Sequence, residues 1–309
     1  MIIVKISGGL GNQMFQYALI SRLQKQYPGV EIKGDVSGYK LYNDHYGLEL
    51  NRVFGLADKG YLQLAKPVEQ FCVRGEMPLL LGGTLGRWLE TPQAWLNART
   101  RRLFVKMDRR NVISEDAGIL VEEQLESMDT GKNWFLDGYW QNEIYFEDML
   151  PKLRNQFAFP DFTEEGNRQL AEKISKTNSV SIHIRRGDYV GTVYDILGME
   201  YYRKAVRYIE ERVENPCYFI FSEDRDYIEK QFAWLPDKVI VDENTGMNSF
   251  RDMQLMSMCR HNIVANSSFS VWSGFLNAYE DKIVIYPSQY TKNATNTKKL
   301  EKGWVEIDA

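Results

Sequence analysis

The second half of the chain alternates between short apolar segments and longer amphipathic ones. The apolar segments are rich in β-branched and aromatic residues, which predicts strands at 179–185, 217–222, 238–241, 261–265 and 282–286. The other segments have the length and periodicity of helices, at about 163–176, 199–213, 224–233, 248–258 and 269–279. Strands joined by helices of this length form right-handed crossovers on a parallel sheet, so the pattern predicts the α/β class.

The first half begins with the same type of unit. An apolar strand over residues 2–6 leads into the glycine-containing loop Ser7–Gln13, and a helix with an apolar face follows. Backbone N–H groups in such a loop are able to meet an anion or a polar ligand, whereas a tight turn needs no ligand at all. Further along, the sequence predicts a strand at 133–139 and a helix at 141–150.

A linker is expected at Phe157-Ala158-Phe159-Pro160, because proline interrupts regular structure. It divides the chain into predicted domains at 1–160 and 161–309. A length of 309 residues accommodates two domains of ordinary size.

Composition excludes several classes of protein. The formal net charge of −4 argues against a general nucleic-acid-binding role. The three cysteines, Cys72, Cys217 and Cys259, form no C-x-x-C pair, so neither a disulfide framework nor a zinc site is expected. No Ser-nucleophile elbow of the G-x-S-x-G type and no P-loop is found.

The cytoplasm is the expected location. The chain shows no signal-peptide pattern and no apolar run near the ~20 residues that span a bilayer. A basic cluster between Arg99 and Arg110 is expected to be a solvated helix face. The alternative is contact with a charged glycan or with an anionic inner-membrane surface, for instance where the substrate is lipid-linked.

The predicted strand at 179–185 ends in two adjacent arginines, Arg185 and Arg186, followed by Gly187 and Asp188. In a parallel α/β sheet, the carboxyl ends of the strands are where ligands bind. Asp188 is able to neutralise one arginine locally by closing the turn. The second guanidinium still requires an anion, and a diphosphate matches its planar fork of donors.

Two further loops are expected at the same edge of the sheet. One is Ser222-Glu223-Asp224, and the other is Asn266-Ser267-Ser268-Phe269-Ser270. Serines before a helix are first of all N-caps, but a helix N-terminus with spare hydroxyls also binds phosphate. The run Asp224-Arg225-Asp226 matches a short D-x-D metal pattern, which we reject because aspartates at a helix start already favour the macrodipole.

Four segments of the sequence resemble one known family. They are His183-x-Arg185-Arg186-Gly187-Asp188-Tyr189-Val190, the block from Gly8 to Ala18 (G-G-L-G-N-Q-M-F-Q-Y-A), Gly138-Tyr139-Trp140-Gln141 with Tyr145-Phe146, and Ser268-Phe269-Ser270-Val271-Trp272. The chain is thereby similar to the bacterial α-1,2-fucosyltransferases of glycosyltransferase family 11. The resemblance covers the first strand–helix unit, residues 133–146 and most of 179–280.

The resemblance implies a GT-B fold, in which two Rossmann-like domains face a central cleft. The N-terminal domain would be the acceptor side and the C-terminal domain would bind GDP-fucose. The implied reaction is inverting transfer of L-fucose from GDP-β-L-fucose to the 2-hydroxyl of a terminal galactose on a glycan, with no cofactor and no essential metal.

The candidate catalytic residues combine local chemistry with the resemblance. Arg185 and Arg186 would stabilise the β-phosphate of the leaving group, and Asp188 or His183 would be the local base. A strand histidine is, however, more often a hydrogen-bonded core residue. Asn12 is a further candidate for holding the reacting groups. A glutamate that some wider relatives carry shortly after this motif has no counterpart in residues 190–193.

The candidate donor-binding residues come from the loops already described and from one helix. Asp252 resembles a family position near the donor sugar, and an exposed helix aspartate is its plain alternative. The full set of donor-binding candidates is Gly9, Gly11, Arg186, Glu223, Asp224, Asp252, Ser267, Ser268, Phe269 and Ser270.

Two other functions stay open at this point. The chain could bind a GDP-sugar without transferring it. It could instead be an NAD-dependent enzyme that uses the first glycine loop, with Asp35 at the end of the next strand. Against the second idea, Met14 stands where the third glycine of G-x-G-x-x-G is required.

Overall fold

In a computed structural model, the chain is described at residues 1–40, 46–74, 111–115, 121–292, 294–295 and 303–309. It divides into two compact units, Met1–Ala158 and Phe159–Ala309. The division falls inside the segment 157–160 that the sequence marks as a linker. The basic cluster at 99–110 lies outside the described residues.

The first unit is built on a four-stranded parallel sheet. Its strands are β1 (Ile2–Lys5), β2 (Ile32–Asp35), β3 (Asn111–Ser114) and β4 (Trp134–Asp137), in the order β2-β1-β4-β3. Each adjacent pair runs parallel. The loops after β1 and β4 therefore leave the same edge of the sheet side by side.

Five described helices accompany this sheet. They are α1 (Leu10–Gln26), α2 (Glu49–Phe54), α3 (Pro67–Arg74), α4 (Glu122–Glu126) and α5 (Leu150–Gln156). Helix α1 is buried on most of its circumference, including the polar Gln13, Gln16 and Ser21. It is thus a central helix of the unit, where the sequence predicted a single apolar face.

The predicted helix at 141–150 is wrong as a continuous α-helix. Residues Glu143–Tyr145 and Glu147–Met149 form separate 3₁₀ turns, and α5 begins only at Leu150. The Asn142 side chain caps the first turn by accepting a hydrogen bond from the backbone N–H of Ile144, but Phe146, with φ of −157°, separates the two turns. Pro151 fits the first turn of α5 but not the interior of a longer helix.

The second unit contains a six-stranded parallel sheet. Its strands are β5 (Asn178–His183), β6 (Pro216–Phe221), β7 (Val239–Val241), β8 (His261–Ile263), β9 (Val284–Pro287) and β12 (Val305–Ile307). The order is β12-β9-β8-β5-β6-β7, and all adjacent pairs are parallel. A small antiparallel pair, β10 (Gln289–Thr291) with β11 (Ala294–Thr295), lies outside this sheet.

The helices of the second unit follow the predicted alternation closely. They are α6 (Glu165–Ser175), α7 (Met199–Glu210), α8 (Arg225–Gln231), α9 (Phe250–Met258) and α10 (Ser268–Leu276). Buried side chains of β5, β6 and α7, such as Ile182, Phe219 and Tyr201, fill the core. The predicted α/β class is confirmed, with one parallel sheet in each unit.

Among the described residues, no helix has the length and apolar character needed to cross a membrane.

Candidate functional site

The carboxyl end of β5 lies at the point where the strand order of the second sheet reverses. The chain passes from β5 outward to β6 and β7, and then returns to β8 on the other side of β5. In open α/β sheets, ligands bind outside the strand ends at such a switch point, because the two connecting loops diverge there. The loops after β5, β6 and β8 all end at this edge, and they carry the residues singled out by the sequence.

Contacts between the three loops show that they meet. Arg185, after β5, forms an ion pair with Glu223, after β6, at 3.3 Å. The Tyr189 hydroxyl lies 3.5 Å from the backbone carbonyl oxygen of Asn266, after β8. The structure therefore brings one cluster together from segments about 40 residues apart in the sequence.

Arg185 is neutralised by the protein itself. Its Nη2 donates to Asp188 Oδ1 at 2.5 Å and its Nη1 donates to Glu223 Oε2 at 3.3 Å. The guanidinium also lies over the Tyr189 ring, 5.3 Å from the centroid. The turn-closing Arg–Asp pair that the sequence allowed for is thus present. Because 29% of the Arg185 side chain is exposed, it still borders solvent.

Arg186 is placed differently. Its guanidinium carbon lies 4.1 Å from the centroid of the Tyr227 ring, at the start of α8. Its Nε is 3.5 Å from Asp224 Oδ2, yet within the described part of the chain this buried nitrogen has no hydrogen-bond partner. A buried, unsatisfied donor on a cation is costly unless a ligand completes it. Arg186 therefore has Asp224 within ion-pair distance but keeps one donor that a ligand could satisfy.

His183 is the last residue of β5 and is buried, with only 7% of its surface exposed. Burial, and secondarily the neighbouring Arg185, lower the pKa of His183 to about 3. The imidazole is therefore neutral at physiological pH and is a weak base. Its ring lies 5.9 Å from that of Phe269, which links β5 to the loop after β8.

The loop after β8 divides into a buried part and an accessible part. Ser270 is fully buried, and its hydroxyl accepts from the N–H of Ala265 at 2.9 Å and donates to the Ala265 carbonyl at 3.3 Å. Both bonds are internal, so Ser270 is not available to a ligand and the prediction that it contacts the donor is not retained. Ser268 and Phe269 are half-buried at the start of α10.

The N-terminus of α10 has no side-chain cap. Ser267 occupies the N-cap position, but its hydroxyl makes no capping bond to the helix. The first N–H groups of a helix need acceptors, and the helix dipole favours a negative one. The loop containing Arg185 and Arg186 borders this helix end through the contact of His183 with Phe269. Phosphate oxygens would suit this arrangement.

Asp252 lies in the first turn of α9 and is half-buried. Asn244 donates to its Oδ1 at 2.8 Å. Burial raises the pKa of Asp252 to about 7, the Asn244 hydrogen bond acts in the opposite direction, and the carboxylates of Asp242 and Glu223 raise it further. The side chain thus belongs to the same group of charges as the Arg185–Glu223 pair, and it changes protonation near neutral pH.

Asp224 has a structural role as well as its contact with Arg186. Its carboxylate caps α8 by accepting from the N–H of Tyr227 at 3.0 Å. Glu223, by contrast, is half-exposed and bound to Arg185. In the described part of the chain, no cluster of three or more His, Cys, Asp or Glu side chains has a metal-binding arrangement.

The helix N-terminus that follows the glycine loop of the first unit already has a carboxylate partner within the chain. The N–H of Leu10, at the start of α1, donates to Glu49 Oε2 at 2.9 Å, so a carboxylate of the chain already occupies this helix end. Gly9 is the N-cap residue and Gly11 is buried in the first turn. For this reason we leave Gly9 and Gly11 out of the proposed donor site.

Asn12, in the first turn of α1, has a defined partner. Its Oδ1 accepts from Gln141 Nε2 at 2.6 Å, which joins the loops after β1 and β4. Asp35, the residue that an NAD enzyme would direct at a ribose, is 1% exposed and accepts from Gln70 and from the N–H of Ser37. This use of Asp35 removes the support for a dinucleotide site.

The sequence did not indicate Tyr227 as part of the site. It follows Asp224 by three residues, and a tyrosine in a first helical turn is usually a packing residue. Its role becomes visible only through the position of the Arg186 side chain. Asn244 was missed for the same reason, since it contacts Asp252 across eight residues of loop and helix.

Several known proteins are similar to this chain. The alpha-1,2-colitosyltransferase of Escherichia coli is 30% identical over 318 residues, covering 99% of both chains. The galactoside alpha-(1,2)-fucosyltransferase 1 of Ateles belzebuth is 22% identical over 191 residues, covering 56% of this chain and 52% of that protein. The crystal structure of fucosyltransferase NodZ from Bradyrhizobium superposes with a TM-score of 0.49 at 12% identity, covering 88% of this chain and 91% of that one.

A family model described as glycosyl transferase family 11 matches residues 1–308, which is nearly the whole chain. This match includes both the glycine loop of the first unit and the arginine loop of the second. The chain therefore belongs to glycosyltransferase family 11.

Proposed function

We propose that the protein transfers L-fucose from GDP-β-L-fucose to the 2-hydroxyl of a terminal galactose, with inversion at the anomeric carbon. The second unit binds the donor and the first unit binds the acceptor. The observation that carries the proposal is Arg186, a half-buried guanidinium at the sheet switch point whose Nε has no hydrogen-bond partner in the described part of the chain. Membership of the family makes a nucleoside-diphosphate sugar the natural anion.

The reaction requires stabilisation of the departing diphosphate. The bond between the anomeric carbon and the β-phosphate oxygen breaks while the galactose 2-oxygen forms a new bond on the opposite face. Negative charge grows on the GDP leaving group, and a fixed guanidinium at this position stabilises that charge more in the transition state than in the substrate. Arg186 is assigned this role, and Arg185 supports it across the loop.

The N-terminus of α10 supplies the neutral part of the same site. Ser267 and Ser268 place hydroxyls beside N–H groups that have no side-chain cap. Phe269, packed on His183, fixes the direction of this helix start. Asp252, Glu223 and Asp224 carry acceptor oxygens that suit the N–H and hydroxyl donors of the guanine base and ribose.

The proton of the acceptor hydroxyl must leave during transfer. His183 is unsuited to take it, because its lowered pKa of about 3 makes it a poor acceptor near neutrality. Asp188 is more accessible, with 59% of its side chain exposed, but in this state it is bound to Arg185. If the diphosphate draws Arg185 away, the Asp188 carboxylate is released to accept the proton of the acceptor 2-hydroxyl.

A second donor has a specific observation in its favour. The relative that is 30% identical over the full length is named an alpha-1,2-colitosyltransferase. Colitose has the L-fucose configuration but lacks the 3-hydroxyl, so the same phosphate and guanine contacts would hold either GDP-sugar. Discrimination between them requires a polar group directed at the 3-hydroxyl, which a deoxy sugar would leave unpaired.

The proposal is tested with purified protein, GDP-fucose or GDP-colitose, and β-galactosides as acceptors. We expect fucosyl transfer that continues in EDTA, since the arginines carry the charge that a metal carries elsewhere. GDP binding without acceptor-dependent turnover would indicate a binding protein. A preference for GDP-colitose would identify GDP-colitose, and not GDP-fucose, as the donor.

Arg186→Ala should weaken GDP binding in calorimetry about 30-fold or more, corresponding to about 2 kcal/mol for a charged hydrogen bond. Arg212→Ala is the matched control, because Arg212 also stacks on a tyrosine of the second unit, Tyr208, at 3.7 Å. Equal GDP affinity in both variants would contradict the assignment of Arg186.

A further inference from the structure

The turn after β4 has a strained backbone. Trp140 has φ of 56°, in the left-handed region that a bulky residue seldom adopts. Its indole is fully buried and packs edge-on against Tyr145, with centroids 5.5 Å apart. Such strain persists only where the surrounding structure enforces it, and it is concentrated at functional sites.

The turn is braced from the neighbouring strand. Glu115, directly after β3, accepts hydrogen bonds at Oε2 from the N–H of Tyr139 at 3.1 Å and of Trp140 at 2.5 Å. A Cβ at Gly138 would lie 2.7 Å from Glu115 Cβ, so only glycine permits this approach. Gln16 of α1 donates to the Gly138 carbonyl at 3.1 Å. The turn is thus held from both sides.

This bracing displays Tyr139 toward solvent. Half of its surface is exposed, while Trp140 beside it provides the anchor in the core. An exposed aromatic ring contributes little to folding, since its apolar face stays in water. A rigid ring at the carboxyl edge of a sheet does offer a flat apolar face at low entropic cost.

Amide and hydroxyl groups follow β1, β2 and β4, which end at the same edge of the sheet. Gln141, two residues on, donates to Asn12 Oδ1 at 2.6 Å, and Asn12 is half-buried. Tyr39 donates to the Gly8 carbonyl at 2.7 Å. Burial, then the Glu49 carboxylate and, as a smaller contribution, the Tyr139 phenol raise the pKa of Tyr39, so its phenol stays protonated. The group is therefore aromatic and polar, and the exposed charges at the same strand ends, Lys5 and Asp137, neutralise each other.

We propose that Tyr139, together with the Asn12–Gln141 amide pair, forms the subsite for the galactose ring of the acceptor. The axial hydroxyl of galactose leaves one face of the ring with hydrogens only, and this face stacks on an aromatic side chain. Its remaining hydroxyls are neutral donors and acceptors, which amides and phenols match. The inference rests on the proposed function in taking galactose as the acceptor sugar.

The carboxylates near Tyr139 indicate that a ligand at this turn is neutral. Glu115 is committed to the two backbone N–H groups of the turn, and Glu49 to Leu10 and Arg52. Neither is placed to pair with a cationic ligand. An anionic ligand would meet these two carboxylates, and Lys5, the cation at the end of β1, is already paired with Asp137 at 2.9 Å. A neutral polyol therefore fits the cluster best.

The test measures acceptor binding separately from donor binding. Tyr139→Ala and Tyr139→Leu should raise the KM for a β-galactoside about 10-fold or more, with GDP affinity unchanged in calorimetry, whereas Tyr139→Phe should stay within about twofold of wild type. Tyr61→Ala is the matched control, because Tyr61 is 45% exposed in the same unit. An acceptor KM in Tyr139→Ala equal to that of the control would overturn the subsite.

Saturation-transfer NMR with the galactoside and saturating GDP distinguishes this inference from the proposed function. If wild type binds the galactoside and Tyr139→Ala and Tyr139→Leu do not, the subsite stands even where no fucose is transferred. If wild type transfers fucose but all Tyr139 variants bind the galactoside normally, the transferase proposal stands and the subsite is wrong. Absence of galactoside binding to wild type would also overturn the subsite.

Discussion

The guanidinium of Arg186 stacks on the ring of Tyr227, with its carbon 4.1 Å from the ring centroid. This contact fixes the plane of the guanidinium, and cation–π contacts of this type contribute about 0.5–2 kcal/mol. Tyr227 comes from the first turn of α8, after β6, whereas Arg186 follows β5. Two adjacent strands therefore cooperate to orient one cation.

Tyr227→Ala should weaken GDP binding about 3- to 10-fold, because Arg186 loses the surface that orients it. Tyr227→Phe keeps the ring and should bind GDP like wild type. The control is Tyr208→Ala, which removes the ring beneath Arg212. Calorimetry measures the GDP affinity of all three variants. If Tyr227→Phe bound GDP as weakly as Tyr227→Ala, the aromatic ring would not be the group that orients Arg186.

Asp252 should make stability depend on pH. Burial, opposed by the Asn244 hydrogen bond and reinforced by Asp242 and Glu223, raises its pKa from 3.8 to about 7 in the folded protein. Between these two values the folded chain retains a proton that the unfolded chain has lost. This contribution to stability is therefore full below the unfolded pKa and is lost as the pH rises through about 7.

Asp252→Asn should remove this loss. We expect the variant to be more stable than wild type by about 1–2 kcal/mol near pH 8, a figure reduced for partial exposure, and no more stable near pH 3.5. The new amide oxygen still accepts from Asn244. Urea unfolding measures the free energy of unfolding of both proteins at the two pH values. An equal gain in stability at both pH values would exclude titration of Asp252 as its cause.

Gly187 and Gly191 offer a matched pair of substitutions in the arginine loop. Both have positive φ, +36° and +75°, so alanine strains the backbone at either position. Only at Gly187 would the new Cβ meet a side chain, Glu223 Oε1 at 2.3 Å. Gly187→Ala should therefore displace Glu223 from Arg185 and lower GDP affinity several-fold more than Gly191→Ala does. Similar GDP affinities in calorimetry would count against the Arg185–Glu223 pair as part of the site.

Local sequence patterns predicted the parts of the fold that depend on local periodicity. The strands and helices predicted for the second unit match to within a few residues, because apolar strands such as 217–222 alternate with clear amphipathic helices. The short strands β10, β11 and β12 were not predicted. The helix at 141–150 was not predicted correctly, since Phe146 leaves the helical region with φ of −157° and Pro151 suits only the start of a helix. Such local competition is invisible in a hydrophobic pattern.

The site was predictable as a set of loops but not as a set of contacts. Parallel strands place Arg185 and Glu223 at one edge, and the sequence alone gives that much. Whether a hydroxyl or an N–H faces outward depends on tertiary partners. Ser270 bonds to Ala265 and the start of α1 bonds to Glu49, and neither pairing has a sequence signal.

Gly8 has positive φ of +76°, and a Cβ there would lie 2.6 Å from Asn12 Nδ2 and 3.2 Å from Asn12 Cβ. Gly8→Ala should therefore push the Asn12 amide away from Gln141 as well as strain the turn. Gly29→Ala is the control, because Gly29 has φ of +87° but open space around it. Both should lose about 1–2 kcal/mol of stability to the left-handed backbone, measured by urea unfolding. Only Gly8→Ala should also lose fucosyl transfer, about 10-fold or more, and Asn12→Ala should lose a similar amount. Equal transfer rates for Gly8→Ala and Gly29→Ala would mean that the position of Asn12 does not matter to the reaction.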